Sequence, residues 1–157
     1  MKIHMLYLTL DVDSRVMFQR LLSGAPIDIR VDDLFCPLVM TRDPSVDDYK
    51  LQPIEFVAQM TGVDFLYSSV NRESTATVSL HAPELLQFQL ELADQFKGVA
   101  SLHESVQEQD TPPFIALCRG GSLSGNQRRW LSSFSTTLAT QPPIKLVNPQ
   151  VTLRDVS

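Results

Sequence analysis

The chain holds three imidazoles, His4, His81 and His103, and their placement bounds the acid–base chemistry open to it. His103-Glu104-Ser105-Val106 sets an imidazole and a hydroxyl two residues apart. On a strand both would project from one face, where a proton can be moved beside an anionic oxygen. The plainer reading is a surface histidine ahead of a proline pair, because short matches of this kind often arise by chance. His81 follows an apolar run and reads as an edge residue; His4 lies in the first apolar run, with either face open to it. Arg42 and Arg119 each close an apolar run. There a guanidinium could fork a phosphate, or simply leave charge in solvent at a strand end. Cys36 and Cys118 read as small buried hydrophobes, with approach of the two thiols as the alternative. Arg128-Arg129-Trp130 suggests a nucleic-acid contact, although Trp130 at helical spacing from Phe134 is more often a core position. No zinc-ligand spacing, glycine-rich phosphate loop or Ser-His-Asp set is present, so neither a metal nor a cofactor is expected.

Composition narrows the classes further. A chain of 157 residues with 43% hydrophobic and 20% charged side chains is that of one globular domain. Chains of this size bury about 68–70% of their unfolded surface. The net charge of −5 argues against broad binding to nucleic-acid backbones, which takes clustered Lys and Arg, and leaves only a local basic pocket for a small anion. Two cysteines make no disulfide framework, no leader pattern opens the chain, and no apolar run reaches the ~20 residues of a membrane span. The expected setting is a reducing cytoplasm, or a particle assembled there.

These residues need elements to position them. Residues 3–12 (IHMLYLTLDV) read as a strand, followed by a helix capped by Asp13 or Ser14, with Val16, Met17, Leu21 and Leu22 at helical spacing and Gly24-Ala25-Pro26 as the stop. Residues 34–41 form a second strand and 42–49 a loop. Residues 54–60 and 63–70, joined at Thr61-Gly62, read as a hairpin. The order then recurs: a strand at 75–81; a helix from Pro83 with Leu85, Leu86, Phe88, Leu92 and Phe96 inward; and a strand at Phe114, entered through Pro112-Pro113 and left through Gly120-Gly121. Ser124 can cap a third helix carrying Trp130, Leu131, Phe134 and Leu138 on one side. Residues 144–156 are extended segments broken at Asn148-Pro149.

Phe114-Ile115-Ala116-Leu117 after Pro113 resembles the second signature strand of the two-histidine (2H) phosphoesterases, a Pro-His-φ-Thr-φ pattern, with Phe114 at the histidine position and Ala116 at the threonine position. The string DLFCPLVMTRDP (33–44) resembles the first motif as phage members of that family write it, with Phe35 and Pro37 where histidine and threonine stand. The strand and helix of ATVSLHAPELLQFQLELADQF and the closing PIKLVNPQVTLRDV are similar to the matching segments of the family. The resemblance implies an α+β fold: duplicated β-α-β units in two lobes, antiparallel sheets around a central cleft and helices outside. One domain would span 1–157, with lobe 1 at about 1–72 plus the C-terminal strands and lobe 2 at about 73–141.

In the family, two imidazoles exchange protons with the attacking and leaving oxygens of a phosphodiester while threonine hydroxyls hold the phosphate. Phe35, Pro37, Phe114 and Ala116 supply none of these groups, so the resemblance implies a degenerate, non-catalytic member, possible in a phage. It would act through a protein partner or self-assembly, with the filled cleft plugged by its aromatic rings. Two alternatives stand beside it. One is a binder of cyclic or 2′-5′-linked nucleotides that uses Arg42 and Arg119 without cutting. The other is an active phosphodiesterase that relies on His103.

Overall fold

The structure, a computed structural model, describes residues 4–41, 49, 52–68, 73–96 and 112–148. The strands are β1 (His4–Leu10), β2 (Cys36–Thr41), β3 (Glu55–Ser68), β4 (Glu73–His81), β5 (Phe114–Arg119) and β6 (Ile144–Val147). The helices are α1 (Val12–Leu21), α2 (Pro83–Phe96) and α3 (Gly125–Ala139), with one 3-10 turn at Val31–Asp33. All neighbouring strands run antiparallel, in the order β2-β1-β6-β3-β4-β5. The fold is therefore α+β on an antiparallel sheet, the coarse class that the resemblance implies. Among the described residues no helix is long and apolar enough to cross a membrane.

Local chemistry accounts for most boundaries. Ser124 caps α3: its hydroxyl accepts from Gln127 N–H at 3.2 Å, and the Gln127 side chain accepts the Ser124 N–H at 2.8 Å, a reciprocal pair that satisfies two otherwise orphaned donors. Pro83 opens α2, where a missing N–H costs nothing. The α1 cap differs from expectation. Asp11, not Asp13 or Ser14, accepts from Ser14 N–H at 2.9 Å, because β1 ends at Leu10 and the helix follows within one residue. Ser14 instead turns inward and its hydroxyl accepts from Lys145 N–H at 2.9 Å, which ties the first turn of α1 to β6.

The inward face of α1 is also corrected. Phe18 is fully buried, whereas Val16, assigned to the stripe from its spacing, is exposed. On α2 the buried positions are Leu85, Gln89, Leu92 and Phe96, with Leu86 and Phe88 half-buried. Gln89 brings an amide into this apolar surface, and among the described residues its Oε1 has no hydrogen-bond partner. An unmet buried acceptor costs about 1–3 kcal/mol. Gln89→Met, of similar length, is therefore expected to raise stability by about 1 kcal/mol, read as a higher urea midpoint at unchanged slope.

The hairpin expected at Thr61-Gly62 is absent. Residues 55–68 form one strand, because β4 pairs along it from Gln59↔His81 to Ser68↔Glu73. The glycine marks a bulge, with the register shifting between Met60 and Gly62 and Gly62 at φ +149°. Helix α3 holds the bulge: Val63 N–H donates to Ser135 Oγ at 2.8 Å, and a Cβ on Gly62 would lie 2.7 Å from that oxygen. Close approach of the helix, not a chain reversal, is what requires glycine here.

Pairing also sorts the sheet into two faces, since residues opposite one another project to the same side. Leu6, Leu8, Cys36, Val78, Ile115 and Ile144 belong to the main core, and α3 packs against β3. The opposite face carries Tyr7 and Pro37, which pair across β1 and β2, and Ala116, Thr77 and Asp64, which pair across β5, β4 and β3.

Candidate functional site

The two segments that resemble signature strands meet on this second face. Phe35 bridges Ala116, and Ala116 N–H donates to Phe35 O at 3.2 Å. Strands β2 and β5 are the two ends of the sheet, so this contact closes it on itself, and all four positions of interest flank the seam. Phe114, opposite Ser79 in the register, is 7% exposed. Pro37 is buried beside its pairing partner Tyr7, while Phe35 and Ala116 are half-buried. The rings of Tyr7 and Phe35 meet edge to face, 6.0 Å between centroids at 75°. The surface is built of rings, a pyrrolidine and a methyl group; none of the four side chains can carry a proton or hold a phosphate oxygen.

No family model, curated protein or solved structure matches this chain.

The predicted cations are placed unevenly. Arg119 ends β5 opposite Thr75, on the same face as Ala116, but its guanidinium lies 3.9 Å from Glu73 with both side chains largely in solvent, a pairing of little energetic weight. Arg42 and His103 lie outside the described residues. His81 closes β4 opposite Gln59 and is exposed; His4 opens β1 opposite Thr41. In the Arg128-Arg129-Trp130 run, Arg128 is exposed and lies along the surface, its Nη2 donating to Gly120 O at 2.9 Å and its guanidinium lying 5.4 Å from the Phe65 ring centre. Trp130 stacks on Phe134 at 4.7 Å. This is the packing alternative for Trp130, while Arg129 beside it is exposed. Among the described residues no group of three His, Cys, Asp or Glu is placed to hold a metal ion.

Sequence reasoning missed a polar row on β4. Thr75, Thr77, Ser79 and His81 alternate with Ala76, Val78 and Leu80, a period-2 signal that was legible. Only the pairing sets Ser79 beside Phe114 and Thr77 beside Ala116. Asp64 had no signal at all. It stands opposite Thr77, whose hydroxyl donates to Asp64 O at 3.2 Å, and its Oδ2 accepts from Ser79 Oγ at 2.5 Å.

Cys36 and Cys118 are both free thiols. Burial pushes the Cys36 thiol up to about 12, partly offset by a hydrogen bond from the Phe114 backbone, and burial also raises Cys118. The ordinary value near 9 then governs the unfolded chain. The Cys36 contribution to stability is complete below about pH 9 and declines as pH rises towards about 12, since the unfolded thiol loses its proton first. Urea unfolding at pH 7.5 and pH 10 is expected to show the lower midpoint at pH 10. Alkylation at pH 8 should spare Cys36 in the folded chain and modify it in urea.

Proposed function

We propose that this chain is a 2H phosphoesterase-type scaffold whose catalytic groups have been replaced by packing groups, and that it serves as a structural or protein-interaction component. The observation that carries the reading is the seam. Two segments separated by about eighty residues of chain, chosen for their resemblance to the two signature strands, lie side by side, with Phe35, Pro37, Phe114 and Ala116 on one face. In this reading β1–α1–β2 and β4–α2–β5 are the two repeated units of a two-lobed domain. Each is a strand, a helix and an antiparallel return strand, and β3 and β6 join them.

Each positioned acid or base contributes about 10²–10⁴-fold to such a reaction. A face without either leaves no route to cleavage by that chemistry. Incubation of the purified chain with 2′,3′-cyclic nucleotides and 2′-5′-linked dinucleotides is expected to give no product above buffer. Turnover that vanishes in His103→Ala would overturn the proposal.

Non-hydrolytic capture of the same nucleotides would need cations on this face. Arg119 is drawn to Glu73, and Asp64 puts a carboxylate in the row. A specific ligand at one hundred times its Kd adds about 2.7 kcal/mol to stability, so thermal melts against a nucleotide panel are expected to show no shift of that size.

A further inference from the structure

Strand β3 is 14 residues long, yet β6 pairs with it only over Glu55–Ala58. Beyond Ala58, among the described residues, no strand pairs with β3 on the side away from β4. In an antiparallel ladder, residues alternate between those that exchange both hydrogen bonds with the neighbouring strand and those whose N–H and C=O point the other way. Val63 is of the second kind, since its N–H donates to Ser135 Oγ on α3 at 2.8 Å. Phe65 and Tyr67 share its phase, because the register with β4 runs unshifted from Gly62 to Ser68. Their outward N–H and C=O groups meet no described residue, and their side chains are 43% and 65% exposed. Helix α3 closes the edge at Val63, whereas Arg128, nearer its other end, lies over the Phe65 ring and reaches Gly120 beyond β4. Exposed edges are commonly blunted by lysine, proline or a covering element. Residues 64–68 (DFLYS) hold neither lysine nor proline.

We propose that this edge pairs with the same edge of a second copy of the chain, antiparallel about a two-fold axis at Leu66. The occupant is chosen by self-complementarity, because a two-fold interface sets one patch against itself. With the axis at Leu66, Phe65 falls opposite Tyr67 of the second copy, and the two exchange both outward N–H···O bonds, once on each side of the axis. That register uses both outward residues and spares Val63, whose N–H Ser135 already holds. It sets ring against ring on one face and Leu66 against Leu66 on the other, pairings that stabilise neighbouring strands. Asp64 falls opposite Ser68, so the two Asp64 carboxylates stand about 13 Å apart along the strands, further than exposed charges act at physiological salt. Tyr67 of the second copy would also come beside the Arg128 guanidinium that lies over Phe65.

The test reads the mean mass of the full chain by sedimentation equilibrium from about 10 µM to about 1 mM, in about 0.3 M salt to screen the −5 that each copy carries. One short strand pair lies at the small end of interface sizes, below about 1,200 Å². A Kd on the order of 100 µM is therefore expected, with the mean mass rising towards twice the monomer's. Over the same range amide exchange at Phe65 and Tyr67 should slow about fourfold as the unpaired fraction falls, while Val63, held by Ser135 in either state, is unchanged. Tyr67→Lys sets an ammonium opposite Phe65 and beside Arg128, and should weaken the dimer at least about tenfold. A chain that stays monomeric at about 1 mM, a dimer indifferent to Tyr67→Lys, or a dimer in which Phe65 and Tyr67 exchange as in the monomer would overturn the inference. The exchange series needs no variant, so it decides the matter even if Tyr67→Lys fails to fold. The inference gives the interaction reading above a partner and is scored apart from it: nucleotide turnover would defeat that reading and leave the pairing standing, whereas an inactive monomer would defeat the pairing alone.

Discussion

Replacing Phe18 with alanine is expected to lower the unfolding free energy by about 3–5 kcal/mol, the range for emptying a buried aromatic site. Phe18 is fully buried, and the other buried side chain within α1 is the small Ser14. The ring is therefore the chief attachment of that helix to the core. Its loss leaves a cavity between α1 and β1 that neither Ser14 nor the half-buried Met17 and Leu21 can fill. Domains of this kind hold about 5–15 kcal/mol in total, so the variant should melt about 10 °C lower. Val16→Ala on the same helix removes an exposed side chain and should change stability by less than about 0.5 kcal/mol. Similar losses for the two variants would mean that α1 is not docked through Phe18.

Placing an imidazole at position 114, where the resemblance would have one, by Phe114→His, is expected to cost about 2–4 kcal/mol and to bring no cleavage. The cost arises because the ring is nearly buried at the seam, where histidine loses apolar contact and brings two nitrogens that need partners. The nearest hydroxyl on that face, Ser79, already donates to Asp64. Catalysis stays absent because one imidazole supplies half of the proton exchange, and Pro37 and Ala116 still offer no hydroxyl to the phosphate. Urea unfolding measures the first expectation and chromatography of a 2′,3′-cyclic nucleotide the second. A stable variant with measurable turnover would show that position 114 opens on a cleft still built for chemistry.

The same substitution separates this proposal from a chain that merely packs well. If Phe114 and Phe35 are packing groups, the residues around them are not poised for reaction and Phe114→His stays inactive.

How much of this was legible in the residues differs from one element to the next. The run of strands and helices was, because Ser124 with Gln127, Pro83 with Glu84, and the stop at Gly24 act over three or four residues and leave a local trace. The carbon at positions 35, 37, 114 and 116 was equally legible, since side-chain chemistry is written directly in the chain. The continuity of β3 was not: Thr61-Gly62 looks like a turn until Ser135, some seventy residues on, is seen to occupy the space beside Gly62. Nor could spacing rank Phe18 over Val16, because which side of α1 faces β1 depends on the direct turn out of Leu10 and on Ser14 reaching Lys145. Tertiary structure alone decided that β6 lies between β1 and β3, that Phe35 meets Ala116, and that Asp64 joins their row. Those are pairings between distant segments, selected by the burial of a whole sheet face at once, and no window of local sequence carries that information.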